Sequence, residues 1–109
     1  ARFPEVTFIM DMGFRPRVNP PGVPAGKVFT DMARACPNVF FGITALTTSE
    51  SHYVKSIFAA AGAERMVFGT SAPFGIPLFA LWGFADASLG SAAEALIFGG
   101  NLRRLYTLT

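Results

Sequence analysis

The sequence is poor in the side chains that most often perform acid–base and metal chemistry. It has one cysteine and one histidine among 109 residues. A single thiol, Cys36, excludes an intrachain disulfide and a cluster of thiolate metal ligands. We expect Cys36 to be a small buried apolar side chain. We expect His52 to be solvent-exposed in the first turn of a helix rather than catalytic. Candidate catalytic groups must therefore be sought among carboxylates and hydroxyls.

Charge is also scarce. Charged residues make up 15% of the chain, and its net charge is +2. The arginines are scattered, and their one close group is the short Arg15-Pro16-Arg17. Nucleic-acid binding requires a basic face or stripe. The sequence therefore predicts no nucleic-acid partner.

No long apolar run continues without interruption. Residues 66–85 carry no charge, and a membrane span needs about 20 such residues. This run is broken by two glycines and two prolines, at Gly69, Pro73, Gly75 and Pro77. No basic region followed by an apolar core opens the chain, so no signal peptide is predicted. We expect no membrane partner and a cytoplasmic location.

Apolar side chains, by contrast, are abundant. Hydrophobic residues make up 51% of the chain, twelve of them are phenylalanines, and the mean hydropathy is +0.42. Small domains have a large surface for their volume, so such a composition is unusual for one that stands alone. It predicts elements buried on both sides, as in a parallel sheet, or a chain that is part of something larger.

Short apolar runs alternate with segments of helical periodicity. The predicted strands are Val6–Met10, Asn38–Thr44 and Met66–Phe68, and the predicted helices are Ala25–Cys36, Glu50–Ala61, Leu78–Ala87 and Ser91–Phe98, with a final turn at Leu102–Tyr106. This order is typical of βαβ units. The fold class is therefore predicted as α/β, with three consecutive βα units and a parallel sheet in one domain, residues 1–109.

Helix ends and buried faces follow from local patterns. Thr48 or Ser49 is predicted to cap the second helix. Ser91 followed by Glu94 predicts a capping box. Gly99 and Gly100 are predicted to end that helix, and Asn101 to cap the last turn. The apolar face of the first helix is predicted to comprise Val28, Met32 and Ala35, with Phe29 and Ala33 beside them. The aromatic group predicted for the core of the outer layer comprises Phe79, Trp82 and Phe84.

Small polar or acidic residues follow each strand. Because βα crossovers are right-handed, Asp11, Thr44 and Ser71 are expected at one edge of the sheet, where parallel α/β folds bind ligands. Asp11 is a candidate metal ligand or base, and Ser71 a weaker catalytic candidate. The alternative is structural: Asp11 caps a turn, and Thr70 and Ser71 bond loop backbone.

A proline-rich segment, Arg15–Pro24, follows the first strand. It can be neither helix nor central strand, which predicts a stiff loop over the same edge. Arg15 or Arg17 is a candidate partner for a substrate carboxylate, since guanidinium matches that geometry. The alternative is that both are solvated surface residues.

Four segments in order resemble one family. They are Arg2–Val6 before a strand that ends in a residue-x-Gly, Cys36–Phe41, Glu64–Phe74 with its strand-Phe-Gly-Thr-Ser-x-Pro pattern, and Phe98–Tyr106 with its Gly-Asn-Leu-x-Arg-Leu pattern. Together they resemble the C-terminal portion of the amidohydrolase-related family of metal-dependent TIM-barrel hydrolases and decarboxylases, the amino-carboxymuconate-semialdehyde decarboxylase-like proteins among them. The resemblance implies the C-terminal part of a (β/α)8 barrel, incomplete by itself, since a whole barrel needs about 250 residues.

The resemblance also implies chemistry, with two departures. The family's activity is hydrolysis or decarboxylation of a small organic substrate with a divalent metal such as zinc. The family's strand-end histidine is replaced here by Asp11, and a carboxylate in its Gly-Ser/Thr-Asp-x-Pro motif by Ser71. We therefore expect no assured metal site within this chain. Two functions stay open: an enzyme segment, or a catalytically degenerate or truncated homologue with a structural or binding role. Alone, the chain is expected to need the remaining barrel strands or to self-associate.

Overall fold

The computed structural model describes residues 2–11, 26–44 and 51–107. Strands and helices alternate along the chain in the order β1 (Phe8–Asp11), α1 (Lys27–Ala35), β2 (Val39–Ile43), α2 (Ser51–Ala61), a 3₁₀ turn (Ala63–Arg65), β3 (Met66–Phe68), α3 (Pro77–Ala87), α4 (Ser91–Ala95), a π-helical segment (Leu96–Gly100) and α5 (Asn101–Leu105). The predicted caps Thr48 and Ser49 lie outside the described residues.

The three strands form a parallel sheet in the order β1-β2-β3. Met10 pairs with Phe41, and Phe41 with Met66, so one register runs across the sheet. β3 has the predicted bounds, whereas β1 starts at Phe8 instead of Val6 and extends to Asp11. The predicted α/β fold with three parallel strands is confirmed.

The core lies on one face of this sheet. Phe41 and Met66 are fully buried there, because alternate strand residues point to the same side. Helices α1, α2 and α3 and the π-helical segment cover this face. The main core side chains are Phe29, Ala33, Val39, Phe41, Ile43, Val54, Ile57, Met66, Phe84 and Ile97, with Cys36 partly buried against them. The face of the sheet opposite the core carries Asp11 and Thr44 at the carboxyl ends of β1 and β2.

The buried face of helix α1 is centred on Phe29 and Ala33, which were predicted to lie beside its centre. Phe29 and Ala33 are buried, whereas Val28 is 44% exposed and Ala35 is exposed. Phe29 has more apolar area than Val28, so its burial stabilises the fold more. Met32, which lies between the two faces, is half-buried. The prediction of Val28 and Ala35 as core residues was wrong.

One arginine joins the ends of two helices. Arg65 donates from Nη2 to the carbonyl of Ala33 (2.7 Å), from Nη1 to that of Cys36 (3.0 Å) and from Nε to that of Ala61 (3.2 Å). The last carbonyls of a helix have no partner within the helix. Arg65 therefore satisfies carbonyls at the C-termini of α1 and α2 just before β3 begins.

The predicted capping box does not form. Gly90 is the N-cap of α4, with φ 93° and ψ 151°, and Ser91 is the first helical residue. The backbone N–H of Glu94 donates to the carbonyl of Gly90 (3.0 Å). The cap position needs a positive φ, which glycine adopts without strain. Glycine therefore takes the place predicted for serine.

Asn101 is an anchor rather than a cap. It has helical φ and ψ and is 0% exposed. Its Nδ2 donates to the carbonyls of Ala63 (2.6 Å) and Met66 (2.7 Å). Arg104 Nη2 donates to the carbonyl of Glu64 (2.8 Å) and to Asn101 Oδ1 (3.3 Å). The helix before it is interrupted at Gly99, as predicted, where the backbone leaves helical geometry.

Helix α3 is apolar on both sides. Phe84 is fully buried as predicted, but Trp82 is 47% exposed and Phe79 is 38% exposed. Trp82 lies about 200° around the helix from Phe84, so the two cannot share a face. The prediction that Trp82 and Phe79 lie in the core was wrong. No helix in the described part of the chain, α3 included, is long and apolar enough to cross a membrane.

Candidate functional site at the carboxyl edge of the sheet

Two of the predicted strand-end residues lie together. Asp11 is the last residue of β1 and pairs with Gly42, and Thr44 directly follows β2. Thr44 Oγ1 donates to Asp11 Oδ1 at 2.5 Å. By strand alternation both residues belong to the face opposite the core. The structure thus holds an exposed carboxylate at the carboxyl edge by a hydroxyl of the neighbouring strand.

Gly69 brings the end of β3 against the same threonine. Its backbone N–H donates to the carbonyl of Ile43 (3.0 Å). A Cβ added at Gly69 would lie 2.6 Å from Thr44 Cγ2. The hydroxyl of Thr44 therefore bonds Asp11, and its methyl occupies the space that a larger residue at position 69 would need. This role for Gly69 was not predicted, although a glycine directly after a buried strand is the signal for a close approach of this kind.

Ser71 lies two residues beyond Gly69, in a turn. Its φ is 55°, and its carbonyl accepts hydrogen bonds from the N–H groups of Phe74 (2.8 Å) and Gly75 (3.0 Å). The hydroxyl of Thr70 accepts from the N–H of Ala72 (3.3 Å). The structural alternative holds for Thr70, whose side chain bonds loop backbone. Ser71 contributes to the turn through its backbone, by its positive φ and its carbonyl, and its hydroxyl takes no part in these bonds.

His52, the single histidine, lies on α2. It is exposed in the first turn of α2, as predicted, and its ring centroid is 4.3 Å from that of Tyr53. Both rings line a half-open cleft of about 350 Å³ between α1 and α2. Arg15 and Arg17, the predicted partners of a substrate carboxylate, lie outside the described residues.

The fit to a divalent metal can be tested on the donors present. Within residues 2–11, 26–44 and 51–107, no group of three or more His, Cys, Asp or Glu could hold a metal ion. Asp11 supplies carboxylate oxygens at the edge, and Thr44 beside it supplies a hydroxyl, which is a weak metal ligand. The described residues therefore do not fit a metal by themselves.

Comparison with known proteins identifies the family. The sequence profile of the amidohydrolases matches residues 1–108. The chain belongs to the amidohydrolase family. The predicted resemblance is thus confirmed over nearly the whole chain. A search of curated proteins finds no significant match to this amidohydrolase chain.

Solved structures share its fold. An amidohydrolase from Burkholderia multivorans, solved with bound zinc, has a TM-score of 0.79 and 17% identity, over 99% of this chain and 46% of that one. A 2,6-dihydroxybenzoate decarboxylase from Rhizobium has a TM-score of 0.68 and 22% identity, over 98% and 36%. A dihydroxybenzoic acid decarboxylase from Polaromonas sp. JS666, solved with manganese and the inhibitor 2-nitroresorcinol, has a TM-score of 0.67 and 20% identity, over 98% and 35%.

These likenesses establish the fold of the amidohydrolase chain. It spans less than half the length of each of these three proteins. The three described βα units therefore have the architecture of part of a TIM barrel. In such barrels the carboxyl ends of the strands carry the active site, and this is the edge where Asp11, Thr44 and Gly69 meet.

Proposed function

We propose that this chain contributes the C-terminal strand ends of an active site in a metal-dependent hydrolase or decarboxylase that acts on a small organic substrate. In this proposal residues 1–109 are one incomplete part of a barrel domain in a cytoplasmic protein. The observation that carries the proposal is the hydrogen bond from Thr44 to Asp11 at the carboxyl edge, on the face opposite the core. A carboxylate kept for packing or solubility would not need an oriented partner on the next strand.

Asp11 is the proposed reactive group of this segment. A carboxylate accepts a hydrogen bond or a proton from a substrate N–H or O–H, and such transfers contribute about 10²- to 10⁴-fold to a rate. Thr44 restricts the orientation of the carboxylate, because its hydroxyl holds one oxygen. Catalytic groups held in one geometry avoid the entropy of finding it during the reaction.

The proposed metal and substrate contacts rest on observations other than the hydrogen bond between Thr44 and Asp11. The zinc and manganese in the Burkholderia and Polaromonas structures support a divalent metal in the whole protein. Ligands besides Asp11 would come from residues that the structure does not describe. Arg15 or Arg17, which follow Asp11 in sequence, are proposed to bind a substrate carboxylate, as arginine does with two parallel hydrogen bonds.

The test compares Asp11→Asn with a matched control, Asp86→Asn, an exposed carboxylate on α3. Turnover of the whole protein that contains this chain is measured with zinc or manganese added, on 2,6-dihydroxybenzoate and a panel of small amides and lactones. We expect Asp11→Asn to lose about 100-fold or more in kcat/KM, and Asp86→Asn to stay within about twofold. Equal activity of the two variants would refute the role of Asp11.

The alternative is a catalytically degenerate homologue. It is favoured by the lack of a three-ligand group among the described residues and by the hydroxyl of Ser71 at a position where the family pattern has a carboxylate. The double variant Asp11→His, Ser71→Asp restores that pattern. Metal binding by the double variant, together with no metal and no turnover in the unaltered protein, would support the degenerate function. Stoichiometric metal and turnover in the unaltered protein would exclude it.

A further inference from the structure

Helix α3 carries two apolar faces, and only one of them is buried within the described part of the chain. The inner face, which comprises Ala80, Gly83, Phe84 and Ala87, is buried against the core. The outer face has the same helical spacing and lies on the opposite side. Its exposed fractions are 49% for Leu78, 43% for Leu81 and 47% for Trp82, and Ala85 is also exposed. A helix that is apolar all round is normally covered on all sides.

The exposed patch is large for a monomer. It includes Phe79, 38% exposed, whose ring centroid is 5.6 Å from that of Trp82. It continues into the preceding turn through Ile76, 57% exposed, and Phe74, 97% exposed. Together these side chains expose roughly 700 Å² of apolar surface, against roughly 300–600 Å² for the largest patch of a typical monomer. A stable interface buries about 800 Å² on each partner, so this patch is of the size that a dimer needs.

The charge pattern favours a second copy as the occupant. A twofold interface sets one surface against itself, so any charge near the axis faces a like charge. No charged residue occurs from Phe74 to Ala85. Asp86 lies at one end of the outer face, and an antiparallel pair of helices places the two copies of Asp86 on opposite sides of the axis. The patch therefore meets itself without electrostatic repulsion.

We propose that two copies of this chain associate through the outer face of α3, with the helices antiparallel about a twofold axis near Leu81 and Trp82. The spacing of Leu78, Leu81, Trp82 and Ala85 gives each helix a continuous ridge that packs beside the same ridge of its partner. This interface lies on a helix of the outer layer. It is independent of the proposed reaction at the strand ends.

Trp82 is the only tryptophan of the chain, so tryptophan fluorescence reports on the surroundings of the outer face of α3. The test dilutes the whole chain from about 100 µM to about 10 nM and follows both Trp82 emission and mass by sedimentation velocity. We expect a dimer at high concentration whose dissociation shifts Trp82 emission to longer wavelength, since water then reaches the ring. A monomer throughout, or a dimer that dissociates with no change in Trp82 emission, would overturn the proposal.

Variants identify the surface. Leu81→Glu places two like charges near the proposed axis, and Ala85→Glu places a charge within the apolar ridge that the interface would bury; we expect each to weaken dimerisation by at least about tenfold. The matched control is Val28→Glu on α1, an exposed apolar position at 44%, which should leave the dimer intact. Two α3 variants are used, with helical content checked by circular dichroism, so that one unfolded variant does not decide the result. A dimer that survives both, or that Val28→Glu equally disrupts, contradicts the proposal.

A lipid surface would be a different occupant. The whole chain is therefore also titrated with neutral phosphatidylcholine vesicles. We expect no shift of Trp82 emission to shorter wavelength at concentrations where the chain is dimeric. Vesicle binding that competes with dimerisation and is lost in Leu81→Glu would assign the patch to lipid and overturn the proposal.

Discussion

At the scale of single residues, Thr44 connects the ends of three strands. Its hydroxyl donates to Asp11 on β1, and its methyl lies where Gly69, after β3, has no side chain. The two contacts leave the threonine one orientation that satisfies both. Gly69 is thus required by the side chain beside it, and its substitution is expected to disturb Asp11 indirectly.

Gly69→Ala should be strongly unfavourable. The new Cβ would lie 2.6 Å from Thr44 Cγ2, and overpacking of this kind costs about 2 kcal/mol of unfolding free energy. Urea unfolding, with all variants at one protein concentration, measures the loss.

Thr44→Ser provides the matched rescue. Serine keeps the hydroxyl that bonds Asp11 and removes the methyl that Gly69→Ala would meet. We expect Gly69→Ala to cost much less unfolding free energy in the Thr44→Ser background than in the unaltered chain. Additive losses in this double-mutant cycle would show that the two residues are not coupled.

The sequence indicates the location of these residues better than their contacts. Asp11 and Thr44 were predicted at the carboxyl edge because parallel strands with right-handed crossovers end on the same side. The hydrogen bond between them depends on a register of Asp11 against Gly42 that no local pattern encodes. The role of Gly69 depends on the same register. The predicted participation of Ser71, Arg15 and Arg17 stays a prediction.

At the scale of elements, polar side chains from distant segments hold the start of β3. Arg65 joins the carboxyl ends of α1 and α2. Asn101 from α5 bonds the carbonyl of Ala63, the first residue of the 3₁₀ turn, and that of Met66, directly after the turn. Because Met66 follows this turn directly, these bonds fix where the third strand enters the sheet. The short strand β3 therefore depends on α5 as much as on its pairing with β2.

Replacing Asn101 should destabilise this arrangement. Asn101→Leu keeps a similar volume but removes the Nδ2 donor from the carbonyls of Ala63 and Met66 in a fully buried place. The carbonyl of Ala63 keeps its bond from the N–H of Met66. The loss of two buried hydrogen bonds, each worth about 1 kcal/mol, is expected to lower the unfolding free energy by about 2 kcal/mol. Urea unfolding at a fixed protein concentration is the measurement.

Arg103→Ala is the control for this helix. Arg103 is exposed, and exposed substitutions usually stay within about 0.5 kcal/mol. Hydrogen exchange adds a local readout: amides of β3 should lose protection in Asn101→Leu and keep it in Arg103→Ala. Unchanged stability and protection in Asn101→Leu would contradict the anchoring role.

Elements were predicted more reliably than their ends. Apolar runs and helical periodicity are local properties, and they predicted all three strands and the interior of the main helices. Caps and buried polar groups depend on tertiary partners. Ser91 was predicted to be a cap, but the cap position, which has a positive φ, is occupied by Gly90. Asn101 was also predicted to be a cap, but its hydrogen-bond partners lie in the 3₁₀ turn and at the start of β3. Trp82 shows the same limit, since the all-apolar sequence of α3 does not reveal which face meets the core.

At the scale of the whole molecule, β1 pairs with β2 only, among the described strands. Phe8 is 45% exposed and Ile9 is 42% exposed, and Phe3 and Val6 just before the strand are exposed too. An open edge with apolar side chains is a template for another strand. We propose that further barrel strands cover it in the whole protein, and that in the isolated chain it promotes association beyond the dimer.

Ile9→Lys should reduce that further association. Lysine on an edge strand discourages strand pairing, because its charge must stay solvated. Light scattering at concentrations well above about 100 µM should show species larger than the dimer for the unaltered chain and mainly dimer for Ile9→Lys. Val28→Glu, at a similarly exposed apolar site on α1, should leave the large species unchanged. A monodisperse monomer of the unaltered chain with a sharp, reversible melt would contradict the need for a partner.

The anchoring of β3 by α5 also sets an order of events during synthesis. Asn101 lies 35 residues after Met66 and 38 after Ala63, and Arg104 lies 40 after Glu64. Until those residues have been made, the carbonyls of Ala63, Glu64 and Met66 lack these side-chain donors. The first two βα units can therefore pack against each other before the third unit joins them. The strand that carries Gly69 to the site edge is completed only when a segment far downstream has left the ribosome.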